Sequence, residues 1–358
     1  MRIAVIGGGN IGTLMAAEFA QRSHEVRLCA SDAGRWDRTI QVYDGQDEFL
    51  FEGALALVSD RLDEVVEGAD YVWVTYPTSQ FGRLAERLVP LVTEGQRLGV
   101  VPGADAEFAF AGAVERGATL VGLQRVHSIA RIAERGRSVC MLGRKPELQV
   151  ATIPSSVVAA RAEEVSALFD LPVRALPNYL VETLTPSNPI LHTARIASMF
   201  ANWEPGVSYP TNILFYESWT LESSQLLIAC DGELQQLCRR LEQLTGLDLT
   251  EVRSLREHYE SPTAEAMTAK ISSIPAFAGL TSPMREEASG RWVPDFSSRY
   301  FKADFAYGLK IIRDLALLAE VATPHIEQVW QWYLNASGDR EFFEGAPESI
   351  DELVRLYR

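Results

Sequence analysis

No stretch of the 358-residue chain approaches the ~18 consecutive apolar residues of a membrane-spanning helix. A signal peptide would need an uninterrupted apolar core near the start, and glycines break the apolar run there, so a cytoplasmic protein with no membrane partner is expected. Cysteine is scarce: Cys29, Cys140, Cys230 and Cys238 are scattered with no Cys-x-x-Cys pair. That argues against disulfides and zinc and for reduced core thiols, with no metal implied. Basic runs are missing too. A net charge of −15 repels a phosphate backbone unless a basic patch is segregated on one face, which excludes nucleic acid as a partner. Internal repeats and low-complexity tracts are absent. With 47% hydrophobic and 23% charged residues, the composition excludes disordered and fibrous classes, and the length suffices for two domains with full cores.

What is present begins at the N-terminus. The apolar run Ile3 to Ile6 breaks into Gly7-Gly8-Gly9-Asn10-Ile11-Gly12 and then into Leu14, Met15, Ala16 and Ala17, a strand, a glycine turn and a helix. Gly7, Gly9 and Gly12 stand at the GxGxxG spacing of a dinucleotide site, and with Asn10 and Ile11 they form the turn whose amides face a pyrophosphate. The next strand, His24 to Ala30, should end in Asp or Glu if the ribose hydroxyls of NAD are to be held. Here it ends in Ala30-Ser31, Asp32 comes two residues late, and Arg35 and Arg38 follow. Ser31 and Arg35 suit a 2′-phosphate, so NADP is preferred, with NAD as the alternative.

Further alternation of strands (Leu55 to Ser59, Tyr71 to Tyr76, Arg97 to Val101, Leu120 to Leu123, Ser138 to Leu142, Gln149 to Ile153, Val173 to Leu176) and helices (Phe81 to Leu91, Val157 to Leu168) predicts one sheet in an α/β Rossmann domain over 1–185. Thr185-Pro186-Ser187-Asn188-Pro189 marks a boundary, and 186–358 reads as an all-α domain. Ile213 to Leu244 reads as one long helix, with others at Leu249 to Tyr259, Ala264 to Ile274, Phe305 to Val321, Ile326 to Leu334 and Ile350 to Tyr357. Pro275 to Ser298 reads as a long loop.

Two segments of the second domain carry chemistry. In Asn188-Pro189-Ile190-Leu191-His192, Asn188 is a good N-cap and Pro189 a preferred first helical residue, so His192 falls in the first turn. The positive end of the helix dipole disfavours imidazolium there, and an acid–base role calls for a carboxylate partner. In Arg299-Tyr300-Phe301-Lys302-Ala303-Asp304, Arg299 and Asp304 bracket the start of a helix near Phe305. Without further information Asp304 is an N-cap, Arg299 a surface ion-pair residue and His192 a satisfied helix residue. His127 touches substrate or sits in a loop or core, and His24, His258 and His325 have no partner pattern. Trp203, Tyr209, Phe215, Tyr216 and Trp219 read as core, with one or two free to wall a pocket.

Together the two runs, with the N-terminal glycine turn and the helical second half, resemble the opine dehydrogenase family, the octopine and nopaline dehydrogenases. The resemblance implies that His192 is the catalytic acid–base, Asp304 its partner and Arg299 the group holding the keto-acid carboxylate, with Asn188 free to meet the amino acid. It implies reductive condensation: an amino acid attacks an α-keto acid, water leaves, and a nicotinamide cofactor reduces the imine. The partners are then small molecules, with at most a second copy of the chain in a homodimer. Pro102-Gly103-Ala104-Asp105-Ala106 has fewer glycines than that family's loop. A 2-keto/2-hydroxy acid dehydrogenase, a glycerol-phosphate-type dehydrogenase using Lys270 or Lys302, and a non-catalytic NADP-binding sensor remain as alternatives.

Overall fold

The computed structural model describes Met1–Tyr357. Its chain forms two compact units: Met1–Thr183 together with the chain end from Val354, and Leu184–Leu353. Among the described residues no helix is long and apolar enough to cross a membrane.

The first unit is built on twelve strands: β1 (Arg2–Ile6), β2 (Glu25–Cys29), β3 (Thr39–Tyr43), β4 (Phe49–Ala54), β5 (Leu57–Ser59), β6 (Tyr71–Val74), β7 (Arg97–Val100), β8 (Thr119–Leu123), β9 (Ser128–Glu134), β10 (Ser138–Arg144), β11 (Leu148–Ile153) and β12 (Val173–Ala175). Eight of them form a sheet of order β12-β11-β8-β7-β6-β1-β2-β5. Its pairs are parallel except β11 with β8. Strand order reverses at β1, which pairs with β2 on one side and β6 on the other, and in such sheets ligands bind beyond the carboxyl ends of strands at that reversal. The central strands are buried throughout, as a sheet covered on both faces requires.

The expectation of one sheet is corrected. A second, four-stranded sheet of order β4-β3-β10-β9 lies in the same unit. It went unread because β3 and β4 are exposed on alternate or most positions and lack the apolar continuity of the central strands.

The second unit is helical with one small hairpin. Its helices include Leu191–Met199, Leu221–Thr245, Lys310–Leu318 and Pro324–Ser337. The helix expected from Ile213 starts only at Leu221, where Thr220 caps it by accepting from the Ser223 amide at 3.2 Å. Residues 213–220 instead pair with the 280–282 stretch: the Phe215 amide donates to Leu280 O at 2.7 Å and Ser282 to Ile213 O at 2.8 Å. The expected loop 275–298 holds a 3₁₀ turn, Pro275–Phe277, and a hairpin of β13 (Met284–Glu286) with β14 (Trp292–Pro294). Tyr300–Leu309 is a π-helix that runs into the helix Lys310–Leu318.

Candidate functional site

The glycine turn at the end of β1 is shaped by what glycine lacks. A Cβ on Gly12 would lie 1.9 Å from the Gly7 carbonyl oxygen and 2.6 Å from Thr75 Oγ1, and Gly7 has φ +122°. Thr75, just beyond β6, donates to Ile6 O at 3.1 Å and Gly7 O at 3.3 Å, pinning the turn to the neighbouring strand. Gly9 is the residue before α1 (Asn10–Gln21), and a Cβ placed there meets nothing within 4 Å. The first turn of α1 has no side-chain cap and no acidic residue, which leaves its amides available to a pyrophosphate. These residues fit a dinucleotide. The Asn10 side chain is used otherwise: its Oδ1 accepts from the Ile132 amide of β9 at 2.9 Å. Ile11 packs partly buried against the core of the unit.

After β2 the chain turns through Asp32, with φ 56°. Ser31 Oγ accepts from Arg135 Nη2 at 3.0 Å, and Arg35 and Ser31 are exposed. Arg135 stands in the turn between β9 and β10. That turn is docked because the Asp37 amide donates to the Gly136 carbonyl at 2.9 Å, and a Cβ on Gly136 would lie only 2.7 Å from Arg35 O. Sequence spacing named Arg35 for this place and missed Arg135, which is about 100 residues away and arrives only through the unread second sheet.

In the second unit the two predicted runs meet. His192 Nδ1 lies 2.7 Å from Asp304 Oδ2, and His192 Nε2 lies 3.2 Å from the Tyr216 hydroxyl. The His192 ring is 7% exposed, edge-on to Phe215 with centroids 5.6 Å apart and 4.8 Å from the Tyr300 ring. Arg299 is exposed, its guanidinium 5.2 Å from the Tyr300 centroid, and among the described residues no carboxylate pairs with it. Burial raises the Tyr216 phenol, Asp304 and the neighbouring phenols add to that, and Arg299 opposes it; the guanidinium therefore acts on the same hydroxyl that meets His192.

Three local features bring these groups together, and each departs from the sequence reading. The helix bearing His192 starts at Leu191, so Asn188 is not its side-chain cap; its carbonyl accepts from the His192 amide at 3.1 Å and its side chain is exposed. Asp304 is not an N-cap either. It lies inside the π-helix Tyr300–Leu309, a conformation often found at functional sites. A Cβ on Gly308 of that helix would fall 2.8 Å from Pro189 Cβ, so the glycine lets the Asp304 helix approach the turn before His192.

The third feature is Arg195, one turn beyond His192 and 1% exposed. Its Nε donates to Phe215 O at 3.0 Å, Nη2 to Ser218 O at 2.7 Å and Nη1 to Ser223 Oγ at 2.9 Å. Burial pushes the guanidinium down to about 10. These bonds satisfy carbonyls of the non-helical 213–220 segment and so present Phe215 and Tyr216 to His192. Arg195 carries no pattern of its own in the sequence.

The remaining histidines go elsewhere. His127 is fully buried in the first unit, with Nε2 2.7 Å from Glu18 Oε2. His325 pairs with Glu233 at 2.7 Å. Of the five aromatics singled out in the sequence, Phe215 and Tyr216 reach His192. Trp219 lies under Arg195, and Trp203 and Tyr209 pack on Phe296 and Phe200. Lys270 and Lys302, the groups a glycerol-phosphate-type site would need, pair with Glu260 and Asp339. A cleft of about 810 Å³ in the second unit, lined by Arg195, Ser198 and Trp332 among others, contains none of His192, Asp304 and Arg299, so volume alone does not locate the site.

Residues 175–337 match the family model described as NAD/NADP octopine/nopaline dehydrogenase, alpha-helical domain. The helical unit therefore matches the opine dehydrogenase family. Residues 2–101 match the N-terminus of NAD-dependent glycerol-3-phosphate dehydrogenase, a shared nucleotide unit. A tauropine dehydrogenase of Arabella iricolor is 26% identical, with 96% of this chain and 93% of that one aligned. Among solved structures, an octopine dehydrogenase with NADH and L-arginine superposes with a TM-score of 0.83 at 21% identity, covering 99% of this chain and 93% of the other. A yersinopine dehydrogenase with NADP⁺ bound gives 0.67 at 11% identity, covering 99% and 97%. In this chain the nucleotide fold comes first and the helical unit second.

Proposed function

We propose that this opine dehydrogenase uses His192 as the acid–base of reductive condensation, Asp304 as its partner and Arg299 as the clamp on the keto-acid carboxylate. The chain is an NAD(P)-dependent oxidoreductase acting on CH–NH groups. The observation that carries the assignment of roles is the His192–Asp304 contact of 2.7 Å, made between two segments 112 residues apart. Asp304 accepts from Nδ1–H, fixes the tautomer and leaves Nε2 for the substrate. His192 then takes a proton from the attacking amine and returns it to the departing hydroxyl. Arg299, exposed and without a carboxylate of its own, offers a planar fork to a planar carboxylate. Asn188, in the exposed turn before His192, is the reading for a polar contact to the amino acid.

Gly7, Gly9, Gly12 and the amides of Asn10 and Ile11 hold the pyrophosphate of the cofactor, whose nicotinamide supplies the hydride when bound. NADP is the preferred form: Ser31 and Arg135 are already hydrogen-bonded at the end of β2, Arg35 is beside them, and no acidic side chain occupies the position that would repel a 2′-phosphate. Four unpaired thiols fit a reducing, cytoplasmic setting.

A screen of the twenty amino acids against pyruvate, glyoxylate, oxaloacetate and 2-oxoglutarate, read as NADPH consumption, tests the reaction. Turnover should require both partners. Reduction of a keto acid with no amine present would instead select the hydroxy-acid alternative. Fluorescence titration tests the cofactor, with tighter binding of NADPH than of NADH expected; equal or reversed affinities would overturn the preference.

A further inference from the structure

The tyrosine beside the histidine has no part in the roles above. His192 Nδ1 is committed to Asp304, which leaves Nε2 as the ring nitrogen able to exchange protons with a substrate. That nitrogen is met at 3.2 Å by the hydroxyl of Tyr216. The ring of Tyr216 is held on several sides. It stacks on Phe277 with centroids 4.0 Å apart and 18° between planes, lies parallel to Trp219 at 6.2 Å and 6°, and meets Phe215 edge-on at 4.8 Å. Its backbone belongs to the segment whose carbonyls Arg195 binds. A hydroxyl on a ring packed in this way has one bond left to rotate, so its hydrogen bond to Nε2 carries a small entropic cost.

We propose that Tyr216 is a further catalytic residue, relaying the proton between Nε2 of His192 and the oxygen that leaves during imine formation. The proposal rests on His192 being the acid–base group. In the dehydration step the C–O bond of the carbinolamine breaks and its electron pair stays on oxygen. That oxygen takes the phenolic proton of Tyr216 and departs as water, while the nitrogen lone pair forms the C=N bond. The Tyr216 oxygen takes the proton from Nε2, so the phenol is restored and His192 returns to its neutral form, with Nδ1–H still on Asp304. The proton on Nε2 came by the same path in the opposite direction from the substrate's ammonium group, which loses one proton before it attacks; of the two left on nitrogen, one moves to the carbonyl oxygen as the carbinolamine forms and one stays, so dehydration yields the protonated imine. No outside oxidant, reductant or base enters. Burial holds the phenol well above its usual range, so between transfers the hydroxyl keeps its proton and serves as donor and acceptor at once.

The test replaces Tyr216→Phe, which keeps the ring stack and deletes the hydroxyl, using the amino acid and keto acid that the unmodified enzyme turns over best. Expected are an unchanged melting temperature, an unchanged NADPH dissociation constant and a kcat lower by about tenfold or more, as for loss of a positioned proton-transfer group. A monofluorinated tyrosine at the same position, nearly the same shape but with a more acidic phenol, should restore most of the rate and move the pH profile to lower pH. A spacer or packing role would restore the rate without moving the profile. Should Tyr216→Phe keep kcat within about threefold while His192→Ala abolishes turnover, the relay is wrong and the acid–base assignment stands. If His192→Ala itself retains full turnover, the acid–base assignment fails first. If the phenylalanine variant does not fold, the fluorinated protein decides, and an unmoved pH profile overturns the proposal.

Discussion

Asp304 and Arg299 have different neighbours, and substitutions at the two should fail in different ways. Asp304 touches the imidazole at 2.7 Å, so Asp304→Asn should preserve size and NADPH binding but no longer favour the Nδ1–H tautomer or an imidazolium. A fall in kcat of about 10² to 10⁴ is expected, as for the orienting carboxylate of other acid–base pairs, and steady-state kinetics at a near-wild-type rate would remove Asp304 from the site. Arg299 is exposed and stacked near Tyr300. Arg299→Lys keeps the charge and loses the fork. The KM for the keto acid should rise by about tenfold or more while the dissociation constant of NADPH stays put, and an unchanged KM would assign carboxylate binding to another group.

At the scale of elements, the site depends on segments that are not regular helices. The nucleotide turn was readable because its glycines are enforced by backbone collisions a few residues apart, such as Gly12 against Gly7 O. His192, Asp304 and Arg299 were readable as a pattern, but their local structure was not. Periodicity cannot distinguish the π-helix at Tyr300–Leu309 from an α-helix starting near Phe305, because the same apolar residues are buried in either. Residues 213–220 have helical spacing, yet their carbonyls go to Arg195 and their amides in part to 280–282, so tertiary bonds override propensity. The β9–β10 hairpin is the element with the most direct consequence, since its turn delivers Arg135 to Ser31. Arg135→Ala should raise the NADPH dissociation constant by about tenfold, the loss of one charge-assisted contact, and leave that for NADH unchanged. Fluorescence titration of both cofactors checks this, and equal weakening of the two would reassign Arg135 to structure.

At the scale of the whole molecule, buried acids set the pH response. In the first unit Glu107 is fully buried, accepting from Thr183 Oγ1 at 2.6 Å and from the Tyr357 hydroxyl at 2.9 Å. Burial pushes its carboxyl up from 4.5 to about 7. Burial moves Glu182 in the same direction, and in the second unit Asp231 rises from 3.8 to about 6. Between its unfolded and folded values each such acid keeps its proton in the folded protein and loses it in the unfolded chain. Folding then takes up protons, and stability is full below the unfolded value and declines as pH rises through the folded one. For Glu107 the swing is on the order of 3 kcal/mol. The urea midpoint should be lower at about pH 8 than at about pH 5, and Glu107→Gln should remove a large part of that difference; a midpoint that rises over this range would overturn the assignment. None of these acids was visible in the sequence, because a carboxylate's burial depends on what folds over it rather than on its neighbours along the chain.

The Tyr357–Glu107 bond also has a temporal side. Glu107 belongs to a unit whose sheet is complete by residue 175, but its phenolic partner is 250 positions away, beyond the entire helical unit. On a ribosome the nucleotide unit therefore waits, with a buried acid half-satisfied, until some 170 residues of other structure have been made. The helical unit is thus an insertion within the nucleotide unit, and Tyr357 fastens the nucleotide unit after the insertion has been synthesised.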